Sequence, residues 1–372
     1  MKDILKYIAQ THELKQKSNA YRSLKNWPEG IDFFSNDYLG FAKDEALKIS
    51  QEAKAHGAGG SRLISGNHSA YTEVESFIAN QHSVESALIF PTGFMANLGV
   101  LSSLPQRSNV ILFDELCHAS IRDGIRLSNA SAYKFKHNDL DDLAQKLEQF
   151  SSKHKHVFVV TESVFSMDGD IAPLQEIAKL CDHENIGLIV DEAHALGVFD
   201  LGLVHQLGLQ QKVLATIVTF SKAMGLHGGA VLGPKHLINF LVNHARSLIY
   251  TTGLPPESVL KIKQAYLLLQ KEGEHRRIAL NKHIASFKAQ LSAKAQSKLL
   301  PSSTPIQSVV FGNNNSTKQA EQQLLEKGFL VKAILHPTVP LGTERIRIIL
   351  HAFNTEADVR SLANTLNQVL ES

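Results

Sequence analysis

Cysteine is nearly absent. Cys117 and Cys181 are the only two in 372 residues, too few for a disulfide framework or a Cys-based zinc site, and they fit a reducing, cytoplasmic setting. Excess charge of one sign is missing as well. Lys and Arg number 38 against 36 Asp and Glu, for a formal net charge of +2, so the chain lacks the electrostatic footprint of a dedicated nucleic-acid binder and a small-molecule partner is expected. No apolar run approaches the roughly 18–20 residues that a membrane-spanning helix needs. The start, MKDILKYIAQTHELKQK, interleaves charged with apolar residues, so neither a membrane span nor a secretory signal is expected. Internal repeats and low-complexity tracts are also lacking; NNNS at 313–316 reads as a turn and helix cap.

What remains is a chain long enough for about two domains. Ile4, Leu5, Ile8 and Leu14 space themselves as one helical face before Pro28 and Gly30 break the pattern, which gives a helical arm over 1–40. Apolar runs then alternate with helical stretches: SALIFP at 86–91, NVILFD at 109–114, HVFVVTES at 156–163, GLIVDEAH at 187–194 and ATIVTFSK at 215–222. Bare apolar runs of this kind fit strands buried on both faces of a mainly parallel sheet. They define a large α/β domain over 41–248, its sheet ending near Pro234. Beyond it come long helical periodicity, then IQSVVFG, a helix near 316–327, FLVKAIL, RIRIIL and a final helix, an α+β pattern that makes a smaller C-terminal domain over 249–372.

In an open α/β sheet, ligands gather at the carboxyl ends of the strands, so the polar residues that follow each apolar run are the candidates. Asp191 ends one such run and His194 follows three residues later. A buried carboxylate needs a cation, although a salt bridge or cap explains it equally well on spacing alone. Asp-Glu-Ala-His also spells a helicase box, but no Gly-Lys dipeptide is present to make a phosphate loop, and no third ligand completes a metal site. Lys222 ends the run VTFS and precedes AMGLHGG. A lysine desolvated there supplies the neutral amine that a Schiff base requires. PTGFMANLGVL at 91–101 places a Thr-Gly turn between strand and helix, where the first N–H groups can hold a phosphate, and Thr219 and Ser221 add hydroxyls. Together these meet the needs of pyridoxal phosphate (PLP), with the carboxylate keeping the pyridine nitrogen protonated. His118 is either a helix cap or an imidazole stacked on the ring. Arg345 and Arg347 share a strand face, where either is a surface charge or a bidentate grip on a carboxylate.

SNDYLG at 35–40, GAGGSRLISG at 57–66, TGFMAN at 92–97, ESVFSMDGD at 162–170, VDEAHALGV at 190–198, VTFSKAMG at 218–225, YTTGLPP at 250–256 and HPTVPLGTERIR at 336–347 resemble, in order, the α-oxoamine synthases. These are fold-type I PLP-dependent transferases. The resemblance implies Lys222 as the Schiff-base lysine, Asp191 on the pyridine nitrogen, His118 stacked on the ring, and His194 and Ser166 near the ring hydroxyl. Gly93, Phe94 and Thr219 are implied in cofactor binding, and Arg22, Thr338 and Arg347 in substrate binding. It further implies a homodimer with shared sites, in which Thr251 or Thr252 reaches the neighbouring phosphate. VFSMDGD and PTVPLGTERIR are most similar to the members that condense L-alanine with a pimeloyl thioester, on coenzyme A or an acyl carrier protein, in biotin synthesis. The rival readings are 2-amino-3-ketobutyrate ligase, 5-aminolevulinate synthase and serine palmitoyltransferase, or a non-catalytic subunit of the same fold. The chain departs from the family wording at Ala195 and Leu196, where Gly-Thr is usual, at Ser163 for Gly, and at Tyr71 for His.

Overall fold

The computed structural model describes residues 1–17, 21–48 and 55–371. The first helix, α1 (Lys2–Lys17), buries none of its residues, and its expected apolar face at Ile4, Leu5, Ile8 and Leu14 is exposed. A two-residue strand β1 (Ile31–Asp32) follows. Then come α2 (Ser69–Gln81), β2 (Ser86–Phe90), α3 (Gly93–Ser103), β3 (Asn109–Asp114), α4 (Ala119–Leu127), β4 (Ser131–Phe135), α5 (Leu140–Ser151), β5 (His156–Glu162), α6 (Leu174–Leu180), β6 (Ile186–Asp191), α7 (Leu203–Gln206), β7 (Ala215–Thr219) and β8 (Gly229–Gly233).

Strands β2 to β8 make one seven-stranded sheet in the order β2-β8-β7-β6-β5-β3-β4. β8 runs antiparallel to both its neighbours, and the other pairings are parallel. The five apolar runs read as strands all form strands, because burial on both faces leaves no position for a polar side chain. Six strands therefore point the same way, and their carboxyl ends share one edge. The core beneath that edge packs Phe90, Ala96, Val100, Ile111, Ile121, Val160, Ile189 and Ile217 together, each large side chain contributing roughly 1.5–3 kcal/mol on burial.

The rest of the chain forms α8 (Lys235–His244), α9 (Arg246–Ile249), α10 (Pro256–Ala289), α11 (Ala293–Gln296), β9 (Ile306–Val310), α12 (Asn314–Glu326), β10 (Phe329–Leu330), β11 (Lys332–Ile334), β12 (Arg345–Ile349) and α13 (Glu356–Glu371). β11, β12 and β9 make an antiparallel sheet, and β1 pairs in parallel with β10. α13 turns Val359, Leu362, Leu366 and Leu370 inward at helical spacing.

Two compact units result. One holds Asn36–Ser166 and Ile171–Arg277; the other holds Met1–Ser35, Met167–Asp170 and Ile278–Ser372. The expected boundary at 249 differs from this division. Residues 249–277 belong to the unit of the large sheet, since the first two-thirds of α10 packs there: Tyr266 donates to or accepts from His82 at 2.8 Å, and the Lys261 ammonium donates to the Leu47 carbonyl. Among the described residues, no helix is long and apolar enough to cross a membrane.

Candidate active site

The carboxyl edge of the large sheet collects most of the polar residues singled out above. β6 ends at Asp191, whose partner across the ladder is Glu162, the last residue of β5. β7 ends at Thr219, three residues before Lys222, and β3 leads through a short turn to His118, the N-cap of α4. At the start of α3, Thr92 accepts the Met95 N–H on its hydroxyl at 3.1 Å. The first intrahelical donor is Ala96, which leaves the Gly93 and Phe94 N–H groups at the helix mouth, the arrangement that suits an anion. This mouth abuts the ends of β7 and β8. A Cβ on Gly93 would lie 3.1 Å from the Thr219 Cβ, and one on Gly229 would lie 2.6 Å from the Gly93 nitrogen.

One hydrogen-bonded chain links the centre. Asp191, 5% exposed, accepts from Asn97 Nδ2 at 2.6 Å on one oxygen and from the Ala193 N–H at 2.9 Å on the other. Asn97 Nδ2 also donates to the Ser120 hydroxyl at 3.1 Å, and that hydroxyl lies 2.8 Å from His118 Nδ1. The backbone N–H of His118 donates to Glu162 Oε1 at 2.5 Å. Burial lowers the pKa of His118, with Asp191 opposing and the Lys222 charge adding to the effect. Burial beside Asp191 holds the Glu162 carboxyl well above the usual range, against the pull of Lys222. His118, Glu162, Asp191 and Lys222 thus act on one another electrostatically, and burial disfavours the charged form of Glu162.

His194, 5% exposed, has its Nδ1 2.5 Å from the Tyr38 hydroxyl. Thr219 donates to the Gly228 carbonyl at 3.0 Å and lies 3.0 Å from the Ser221 hydroxyl. Ser166 is half-buried in the loop after β5, and Phe94 is 42% exposed. Thr252 is exposed and bridges to Ser61. In the other unit, Arg22 donates to the Thr338 hydroxyl at 3.2 Å, and Arg347 lies on β12 opposite Ser308 and Lys332. Arg345 is tied to Asp168 in an ion pair. A cavity of about 620 Å³ opens at the opposite, amino-terminal ends of the strands, lined by Lys155, His156, Asn185 and Lys212 among others; it holds none of these residues. Among the described residues, no cluster of three His, Cys, Asp or Glu side chains could hold a metal ion.

Asn97, Ser120, Glu162 and Tyr38 carry little local sign of a role. Ser120 lies two residues after His118, and a polar residue inside an apolar helix start (Asn97) or at a strand end (Glu162) is the signal the sequence offers. The departures are all buried: Ser163 donates to the Asp191 carbonyl at 3.4 Å, and Tyr71, Ala195 and Leu196 lie in the core.

This is the sheet and strand-edge chemistry of a fold-type I enzyme, and the comparisons agree. The family described as aminotransferase class I and II matches residues 28–366, and the chain belongs to that family, within its α-oxoamine synthase branch. It is similar to the 8-amino-7-oxononanoate synthase of Alkalilimnicola ehrlichii, 40% identical over 91% of this chain and 88% of that protein. It is likewise similar to that of an Azoarcus species, 38% identical over 95% and 93%. Among solved structures, a serine palmitoyltransferase from S. paucimobilis with a bound PLP–myriocin aldimine superposes with a TM-score of 0.88, at 26% identity over 97% of this chain and 96% of that one. The 8-amino-7-oxononanoate synthase of Francisella tularensis superposes at 0.75, with 29% identity over 92% and 98%.

Proposed function

We propose that this chain is a PLP-dependent acyltransferase that condenses L-alanine with a pimeloyl thioester to give 8-amino-7-oxononanoate, for biotin synthesis in the cytoplasm. The observation that carries the reading is its nearly full-length similarity to synthases of that name, together with the strand-edge cluster of Lys222, Asp191 and His118.

The residues present fit the cofactor. The two free N–H groups at the mouth of α3, the Thr219 and Ser221 hydroxyls and the absence of a side chain at Gly93 suit a phosphate. A buried carboxylate with a donor on each oxygen suits a protonated ring nitrogen. When bound, PLP draws electrons away from the amino acid's α-carbon. Lys222 would hold the aldehyde carbon and, once displaced by the amino acid, accept the α-proton on Nζ. Asp191 would pair with the protonated ring nitrogen. His118, pinned by Ser120 on its ring and by Glu162 on its backbone, would lie on the ring face. His194, held by Tyr38, and Ser166 would meet the ring hydroxyl. Arg22, Thr338 and Arg347 would face the substrates, with Arg347 gripping the alanine carboxylate. The condensation would release the carrier thiol and the amino acid's carboxylate as carbon dioxide, with the Lys222 ammonium placed to return a proton to the α-carbon.

The same reading makes the protein a homodimer, with Thr252 supplied to the phosphate of the neighbouring copy, and makes an acyl carrier protein or coenzyme A the acyl donor. A second reading, serine with a long acyl chain, draws on the 0.88 TM-score of the serine palmitoyltransferase, at lower identity than the synthases show. The test is a matrix of alanine, glycine and serine against pimeloyl, acetyl, succinyl and palmitoyl thioesters, each on coenzyme A and on carrier protein. The highest kcat/KM is expected for alanine with pimeloyl. A methyl group in a pocket gives only about 1–3 kcal/mol of discrimination, so slow glycine turnover is compatible with it. A maximum at glycine with acetyl or succinyl, or at serine with palmitoyl, overturns the assignment within the family.

A further inference from the structure

Tyr71, on α2, stands where the family wording usually has His, and it is 1% exposed. Its hydroxyl accepts the Leu254 N–H at 2.7 Å and lies 3.4 Å from the Leu254 carbonyl. Its ring carries the Arg62 guanidinium 3.7 Å from the ring centre, a stacking that desolvation strengthens. Arg62 meets Glu75 with both nitrogens, at 2.6 and 3.1 Å. That ion pair in turn takes both backbone groups of Ile89: the Ile89 N–H donates to Glu75 at 2.7 Å, and Arg62 donates to the Ile89 carbonyl at 3.1 Å. Ile89 lies on β2, the strand that leads directly into Thr92 and Gly93.

The other end of this chain of contacts is the turn over 250–254. Ser61 bridges to Thr252, and the Gly253 N–H donates to the Gly60 carbonyl at 3.0 Å. A Cβ on Gly253 would lie 3.0 Å from the Tyr71 hydroxyl and 3.1 Å from the Gly66 carbonyl, so the turn is seated flush against Tyr71. Without the hydroxyl, the Leu254 N–H, in a residue only 5% exposed, has no partner, and the turn gains backbone freedom that must be given up again when a ligand orders it.

We propose that Tyr71 is a positioning residue that fixes the Thr251–Thr252 turn against α2 and β2, and thereby sets how tightly the turn holds the PLP phosphate it reaches in the neighbouring copy. This rests on the role proposed above for Thr252, and the experiment separates the two.

PLP affinity is measured on the full chain by absorbance titration for wild type, Tyr71→Phe, Tyr71→His, Thr252→Ala and the Tyr71→Phe/Thr252→Ala double variant. Tyr71→Phe is expected to weaken PLP roughly tenfold, the scale of one lost buried hydrogen bond. Tyr71→His, which keeps a hydrogen-bond acceptor for the Leu254 N–H and a flat ring, should recover most of it. The double variant should be no weaker than Thr252→Ala alone, because both changes remove the same contribution. Wild-type affinity in Tyr71→Phe beside a weakened Thr252→Ala overturns the positioning role, as does an additive double variant or a His variant as weak as Phe. Unchanged affinity in Thr252→Ala overturns the role of the turn, and the inference with it.

Discussion

Replacing Asp191 by Asn removes one charge and changes almost nothing in shape. Both carboxylate oxygens accept hydrogen bonds, from Asn97 Nδ2 and the Ala193 N–H, so the new amide sets a donor against a donor on one side. Asn97 can relieve this by turning its own amide, because its Oδ1 has no partner; the cost is its bond to Ser120, about 1 kcal/mol. The fold should therefore persist. Catalysis should not. A carboxylate about 4 Å from a ring cation in an environment of effective dielectric ~20 contributes about 4 kcal/mol, which corresponds to roughly 10³ in rate. The assay is deuterium exchange at the α-carbon of L-alanine, followed by NMR with saturating PLP, since it reports proton removal without the acyl donor. Circular dichroism and melting temperature report the fold separately. Exchange within a few-fold of wild type would show Asp191 to be structural, and the reading of the site would fail.

Further expectations are as direct. Borohydride reduction of the yellow protein should bleach it and leave the label on the Lys222 peptide, and Lys222→Ala should lose turnover while keeping its fold; full activity in that variant refutes the mechanism. Arg347→Ala should raise KM for alanine by about 10–100-fold, the scale of a charge-assisted hydrogen bond, with PLP affinity little changed; equal losses in both would place Arg347 elsewhere. Burial raises the Glu192 carboxyl to about 7. The folded chain therefore binds more protons than the unfolded one between about pH 4.5 and 7, and stability should fall as pH rises through that window, by up to about 3 kcal/mol. Glu192→Gln should flatten this dependence, being more stable than wild type at pH 8 but not at pH 4.5 in urea titrations. Mixing Lys222→Ala with Thr252→Ala protein should restore some activity if two copies share each site; no recovery, with a fully active monomer by sedimentation, refutes the shared site.

The strands were legible where composition alone decides them. IGLIVD and ATIVT can only be buried, and they are β6 and β7. β4 escaped because SAYKF is a half-exposed edge strand with a single buried residue, and β8 because its five residues begin and end with glycine. Strand-end logic puts Lys222 and Asp191 at the carboxyl edge of the sheet, since the chain itself shows where an apolar run stops. It could not find the side chains that meet the site from afar: Tyr38 meets His194 across 156 residues and Asn97 meets Asp191 across 94, distances that local pattern does not encode. Arg345 and Arg347 looked equivalent by alternation, and only the fold shows Asp168 beside the first.

The placement of Arg62 and Glu75 has a consequence for the behaviour of the chain in solution. β2 is the outermost strand of the large sheet, and four of its five residues are buried. An outer strand of that composition, with its N–H and C=O groups open, invites a strand from another molecule and the growth of an ordered aggregate. At Ile89 those two groups are already engaged by a guanidinium and a carboxylate, and a charged pair offers an incoming strand nothing to extend. Loss of Arg62 would thus expose a template for self-association, and precipitation on concentration or mild heating would accompany its removal even where the monomer still folds.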